Sequence, residues 1–504
     1  MVQSFDQLVE QVRELALVQS LESVVYWDHA TLMPPRASDY RGKQLGFLAG
    51  LVHERRTSKA FEDALLAAES AEASQGYDER QRVQVKKIRR RFDLETKLDS
   101  SLVQKIAKAK TESHAAWKEA KQTKNFDLFV KPLTALLDLM RQKAQCYGHE
   151  GTLYDGLIQE FEWGTFSHDI DRIFNPLKES LVSLVSNYRE VKLPDSAPRL
   201  VGQGLSSAVQ EQLCNDVAKE LGFGFDNGAM ALSSHPFSIT MGPDDYRITV
   251  RYSETELTSA FMAAIHEVGH SLYERGLPNE HWGTPLGAAV SAGVHESQSL
   301  FWENRVGRSG PFLDHWFDRF KAAFPDYFKG TTPEGFFLAM NQIRPDFIRV
   351  EADEVTYSLH IIARYEIEKA LVNGEIGVKD IPGLWNEKYQ SYLGITPPHD
   401  GVGCLQDIHW AEGLFGYFPS YALGHLMSAQ FVEAYEAELG SLHDHIAAKD
   451  YERILGYFRK HVHGVGSFYD APELITHVTG RPLDEKAFVQ YVSVKCQSFD
   501  DLKN

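Results

Sequence analysis

The sequence is short of cysteine, of basic residues and of long apolar runs, and each shortage excludes a class of protein. Four cysteines occur in 504 residues, Cys146, Cys214, Cys404 and Cys496, far apart and never as a Cys-x-x-Cys pair. In so long a chain they read as reduced thiols rather than a disulfide framework. Lysine and arginine number 52 against 70 aspartates and glutamates, a formal net charge of -18. Nucleic acid and anionic membranes reward positive surface, so neither is expected as a partner. No apolar run reaches the roughly 18 residues of a membrane span. The N-terminal segment carries acidic residues from Asp6 onward, unlike the basic start and apolar stretch of a secretion signal. A cytoplasmic location is expected. Glycine-rich nucleotide loops and the G-x-S-x-G elbow are also missing, which disfavours kinase and serine hydrolase chemistry.

What is present is ordinary globular composition, 43% hydrophobic and 24% charged. Apolar positions three and four apart predict helices over 4–30, 42–70, 78–96, 98–122, 126–148, 168–191, 206–221, 253–275, 287–306, 313–324, 348–372 and 421–438. The basic run from Lys86 to Arg91 reads as a solvated helix face. Residues 223–252 are the one β-like region: HPFSITM and DYRITVRY, separated by Gly242-Pro243-Asp244, predict a small antiparallel sheet. No linker or repeat divides the chain. One α-rich catalytic unit is expected over 1–504, with a helical part at about 1–200, a core at about 201–430 and a second helical part at about 431–504.

The core holds His266-Glu267-Val268-Gly269-His270. Ser253 and Glu256 look like a capping box. Leu257, Phe261, Ile265, Val268 and Leu272 form an apolar stripe, and Gly276 and Pro278 end the helix. Histidines one turn apart can share one ion, while Glu267, about 100° around the helix, can reach a water beside it. Zinc takes a third protein ligand and keeps one position open. A third histidine ten residues after the first is ruled out, because Gly276 stands there. Among Glu274, Glu280, Glu296 and Glu303, Glu296 is favoured because it sits in a following helix with small residues on one side; Glu303 is the alternative. His443/His445 and His461/His463 read as exposed.

At this point the chain resembles the carboxypeptidase Taq family of metallocarboxypeptidases. The likeness is carried by YWDHATLMPPRASDYRGKQL (26–45), His235-Pro236-Phe237, Asp245-Tyr246-Arg247-Ile248-Thr249, the two segments with His266, His270 and Glu296, Ile348-Arg349-Val350-Glu351-Ala352-Asp353, and Gly403 to Trp410. GYFPSYALG (416–424) and TGRPLDEKAFVQY (479–491) extend it towards the C-terminus, while GAMALSS before His235 departs from the pattern. The resemblance implies a mainly α, zincin-like peptidase fold with a deep substrate groove and an active-site sheet. It also implies a homodimer and a broad-specificity carboxypeptidase acting on peptides with zinc, or cobalt. In the matched motifs Tyr421 is the expected oxyanion donor and His409 a substrate or oxyanion contact, with Tyr417 beside them. A free C-terminal carboxylate calls for the planar fork of an arginine; Arg349 and Arg247 are the candidates. A helix through Arg349, Asp353, Tyr357, His360 and Arg364 would put these five on one face.

Overall fold

The computed structural model describes residues 3–148 and 151–503. Four helices open the chain: α1 (Gln3–Thr31), α2 (Ser38–Arg56), α3 (Lys59–Gln75) and α4 (Glu79–Thr96). The helix predicted over 42–70 is two, because Ser58 turns out of the helix and its hydroxyl accepts the Phe61 N–H, capping α3. Leu8, Phe61, Leu65, Val85 and Phe92 give these four helices an apolar cluster of their own. α2 is different: among its described side chains only Val52 is buried.

The main core begins with α5 (Ser100–Thr123), α6 (Asp127–Tyr147), α7 (Leu153–Ile158), α8 (Ser167–Tyr188) and α9 (Ser207–Glu220). A three-stranded sheet follows, β1 (Gly228–Leu232), β2 (Ser238–Gly242) and β3 (Asp245–Val250), with β3 central. β2 and β3 form the expected antiparallel pair, Asp244 turning between them at φ 60°. β1 adds a parallel partner, Ala229 opposite Arg247, so the sheet is mixed. Gly-Ala-Met-Ala-Leu has little β preference, and backbone pairing to β3 is what makes it a strand.

Tyr246, Ile248 and Val250 of β3 are buried, and β3 lies against α10 (Ser259–Gly276), the helix that carries the histidine pair. α10 starts later than expected. Ser253 accepts the Glu256 N–H at 2.9 Å in a turn ahead of the helix rather than capping it. After α10 come α11 (Ala292–Leu300), a π-helical turn (Phe301–Gly307), α12 (Gly310–Ala323), α13 (Pro333–Met340), α14 (Glu354–Asn373), α15 (Ile381–Leu393) and α16 (Phe418–Leu439). α17 (Leu442–Ala447), α18 (Tyr451–His461), α19 (Ala471–Thr479) and α20 (Lys486–Gln497) complete the main core.

Two surface expectations change. The basic run on α4 is a set of ties: Arg89 forks onto Glu69, Lys87 bonds Asp470 at 2.6 Å, and Arg90 stacks 3.6 Å over Trp163. His463 is fully buried, its Nε2 2.9 Å from Gln298 Oε1 and its ring filling the space left by Gly276. A cavity of about 920 Å³ runs between α1 and α4 on one side and β2, the end of α10 and residues 288–290 on the other. Among the described residues no helix is long and apolar enough to cross a membrane.

Candidate metal centre

Three elements meet at the histidine pair because glycine lets them. A Cβ on Gly269 of α10 would lie 2.7 Å from Ser299 Cα and 2.9 Å from the Gln298 carbonyl of α11. A Cβ on Gly424 of α16 would lie 3.0 Å from both Cβ and Cγ of Glu296 of α11. α11 is therefore clamped between two helices at backbone distance. Its N-terminus is fixed as well. Ser291 accepts the Val294 N–H, buried Glu162 accepts the Gly293 N–H, and the Phe161 carbonyl accepts the Ala292 N–H at 3.1 Å.

The clamp brings His266, His270 and Glu296 together, with one donor atom from each lying within 4.8 Å of the others. Glu296 Oε2 is 3.4 Å from His270 Nε2 and 3.8 Å from His266 Nε2. Two imidazoles and a carboxylate at such spacing suit a divalent cation of the zinc type. Among the described residues this is the one grouping of its kind. The fit extends outward. His266 Nδ1 is 2.8 Å from Glu303 Oε2, which fixes the tautomer that turns Nε2 inward. Glu303 is thus a support for His266 rather than an alternative ligand. It sits in the π-helical turn, where Arg308 also reaches its other oxygen at 3.4 Å. His270 packs against the His295 ring at 4.5 Å, and His295 Nε2 is bonded by Glu274 at 2.9 Å.

The electrostatics follow from shared burial. Burial opposes the charge on His266, but Glu296 and Glu303 outweigh it and draw the imidazole up to about 10. Burial, with His295 adding to it, pushes His270 down to about 4. Against its own burial, Glu296 is held at about 2 by His266 and His270. Glu267 has no such pairing: burial lifts its carboxyl to about 7, and Oε2 is enclosed without a hydrogen-bond partner. A carboxyl poised near neutrality beside a cation site is suited to moving protons.

A second cluster lies along α16. Tyr421 is one turn before Gly424, and its hydroxyl is 3.2 Å from His409 Nε2. Tyr417 packs edge-on against Tyr421 at 5.2 Å and against Phe161 at 5.0 Å. Arg349 lies over the Tyr421 ring at 4.8 Å. It is not on a helix with Asp353. It occupies a short 3-10 turn, and Asp353 caps α14 by accepting the Val355 and Thr356 N–H groups. The partner of Arg349 is Asp407 at 3.1 Å, and its Nη1 donates to Tyr357 at 3.0 Å. Arg247 stands apart, forked onto Asp245 by two bonds of 2.8 Å and lying over Trp27.

The family profile described as Carboxypeptidase Taq (M32) metallopeptidase matches residues 7–496. The chain belongs to the carboxypeptidase Taq family. It is 36% identical to thermostable carboxypeptidase 1 of Thermus thermophilus, over 98% of each chain. With carboxypeptidase 1 of Bacillus subtilis the identity is 34%, over 94% of each. Among solved structures, the M32 carboxypeptidase of Deinococcus radiodurans superposes with a TM-score of 0.94, 34% identity and 99% coverage of both chains. A Pyrococcus furiosus carboxypeptidase does so with 0.94 and 31%, over 98% of this chain and 99% of that one. Membership makes this carboxypeptidase Taq chain a metallocarboxypeptidase, a hydrolase of peptide bonds, with a candidate site for its divalent metal in the His266–His270–Glu296 cluster.

Proposed function

We propose that this metallocarboxypeptidase releases C-terminal residues of peptides with broad specificity, through a zinc-held water (cobalt serving in its place) and Glu267 as general base. The observation that supports this most is Glu267 beside three converging ligand atoms, its carboxyl lifted by burial to about 7 and one oxygen unpartnered. When bound by His266, His270 and Glu296, the metal supplies Lewis acidity that lowers the pKa of a water and polarises the scissile carbonyl. Glu267 takes the attacking water's proton and returns it to the leaving amine. Tyr421 and His409, joined by their hydrogen bond, offer donors to the oxyanion. Burial, reinforced by Arg349 and Arg364, holds His409 at about 4, so it is a neutral imidazole at neutral pH. Arg349 anchors the substrate's free carboxylate, Tyr417 walls the same end, and Arg247, already engaged by Asp245, lines the groove.

Two further readings complete the proposal. Residues 1–504 act as one catalytic unit in a homodimer. Leu17, Leu21 and Val24 are exposed along one stripe of α1, and Tyr40 and Phe47 of α2 are 68% and 70% exposed, an apolar surface that a second copy would cover. The four unpaired cysteines support a cytoplasmic, reducing location. The deciding experiment on function compares a peptide with its C-terminal amide, before and after chelation. Cleavage of the free acid alone, lost with the metal and regained with zinc, is expected. Equal cleavage of the amide would point to an endopeptidase.

A further inference from the structure

Arg364 is wholly buried and has no part in the proposed reaction beyond helping to keep His409 neutral. Its Nε donates to Asp407 Oδ2 at 2.7 Å, and its Nη1 donates to the His360 carbonyl at 2.7 Å and to the Tyr389 hydroxyl at 3.2 Å. The guanidinium lies 4.5 Å over the Trp385 ring. The other oxygen of Asp407 takes Nε and Nη2 of Arg349, both at 3.1 Å. One carboxylate therefore bridges two guanidinium groups. Water is nearly excluded: the side chains of Arg364, Asp407 and Arg349 are 0%, 12% and 9% exposed.

Such a triad is costly to bury, and Asp407 alone would suffice to orient Arg349. A bare Arg349–Asp407 pair would be neutral, however. An incoming carboxylate would meet attraction and repulsion of similar size, in surroundings where charges are weakly screened. With Arg364 behind Asp407 the cluster keeps one uncompensated positive charge. The groups packed around it do not cancel that charge. His360 is held neutral by burial beside Arg364, His409 is a neutral imidazole, and Tyr357, Tyr389 and Tyr421 contribute hydroxyls. Glu296, which faces Tyr357 and Tyr421, is engaged by His266 and His270. Lys121, the next cation, is engaged by the Gln406 carbonyl at 2.8 Å and by the Trp117 ring.

We propose that Arg364 is a positioning residue for substrate binding: it compensates Asp407 from within the core, so that Arg349 presents a full positive charge to the terminal carboxylate of the peptide. The inference rests on Arg349 as the carboxylate anchor, and the experiment separates the two. Steady-state kinetics on an N-blocked dipeptide with a free C-terminus are compared for the metal-loaded wild type, Arg349→Gln, Arg364→Gln, Arg364→Lys and the double variant Asp407→Asn/Arg364→Gln. Thermal unfolding verifies each fold. Arg364→Gln is expected to raise KM on the order of tenfold, with most of the loss in KM rather than kcat. Arg364→Lys, which keeps the charge, should recover much of it. The double variant again leaves one uncompensated positive charge and should return KM to within a few-fold of wild type, which a merely structural role for Arg364 would not produce. An unchanged KM in Arg364→Gln, or no recovery in the double variant, overturns the inference. Should Arg364→Gln fail to fold, the double variant decides: a KM near wild type supports the inference, and one as high as that of Arg349→Gln refutes it. If Arg349→Gln itself leaves KM unchanged, the anchor reading fails and the inference with it.

Discussion

Glu267, buried, and Glu303, half-buried, are both carboxyls near His266, and what separates their tasks is whether each has a partner. Glu303 is committed to His266 and Arg308, whereas Glu267 has an oxygen left over. Glu267→Gln preserves shape and removes the carboxylate proposed as base, so metal content is expected to stay at one per chain while kcat falls about 100-fold or more. Metal analysis together with rate assays checks this. Glu303→Gln should leave the ligands in place but weaken metal affinity by about 10- to 100-fold, read by competition with a chelator. The sequence made the first of these residues legible and the second only half so. His266, Glu267 and His270 announce themselves by helical spacing. Glu303 was noticed as an acid two turns beyond Glu296, but its task depends on a π-helical turn that no residue pattern displays. Arg364 was visible as a neighbour of His360 on one helix face. Its link to Asp407, 43 residues away, was not.

At the scale of elements, the site depends on three helices meeting at glycine. Gly269→Val or Gly424→Val puts branched carbons where backbone or Glu296 already lies, so α11 must shift. A loss of about 1–3 kcal/mol in stability is expected for each, together with weaker metal binding because Glu296 moves. Urea unfolding and metal titration of the same variant test both halves. Long amphipathic helices were read well from periodicity: α1, α4, α5 and α6 lie within a few residues of their predicted ends. The misreadings were at local hydroxyl and carboxylate chemistry. Ser58 caps a helix where a continuous one was expected, Ser253 closes a turn rather than a helix, and Asp353 caps α14 so that Arg349 falls outside it. β1 was missed because its side chains carry little signal and its pairing is with a strand more than a dozen residues away.

The whole molecule stores several neutral histidines inside it. His425 and His463 are pushed down by burial to about 4 and about 3, and burial pushes His360 well below its ordinary value. Unfolded, each would take a proton near pH 6.5. Between there and about pH 4 the unfolded chain binds more protons than the folded one, so stability rises with pH and is lost as pH falls through this window. Each histidine contributes roughly 1 kcal/mol per pH unit. His266, drawn upward in the protein without metal, is protonated folded or unfolded below pH 6.5 and adds no slope there. The chief opposing groups are Glu162, Glu267 and Glu368, lifted by burial to about 7, three against five lowered histidines, His270, His360, His409, His425 and His463. The urea midpoint of chelator-treated protein is expected to fall from pH 7 to pH 5, and His463→Asn to make that fall shallower. The exposed stripe on α1 and α2 puts the proposed homodimer to the test: Leu17→Glu with Phe47→Glu is expected to halve the mass measured by light scattering without loss of helical signal.

The central claim is that His266, His270 and Glu296 hold one ion beside Glu267. Anomalous X-ray scattering from crystals grown with zinc measures this directly. One strong peak is expected about 2 Å from Nε2 of both histidines and from a carboxylate oxygen of Glu296, with Glu267 close by but not bonded to it. A zinc peak bound elsewhere, with these three side chains turned apart, would contradict the account.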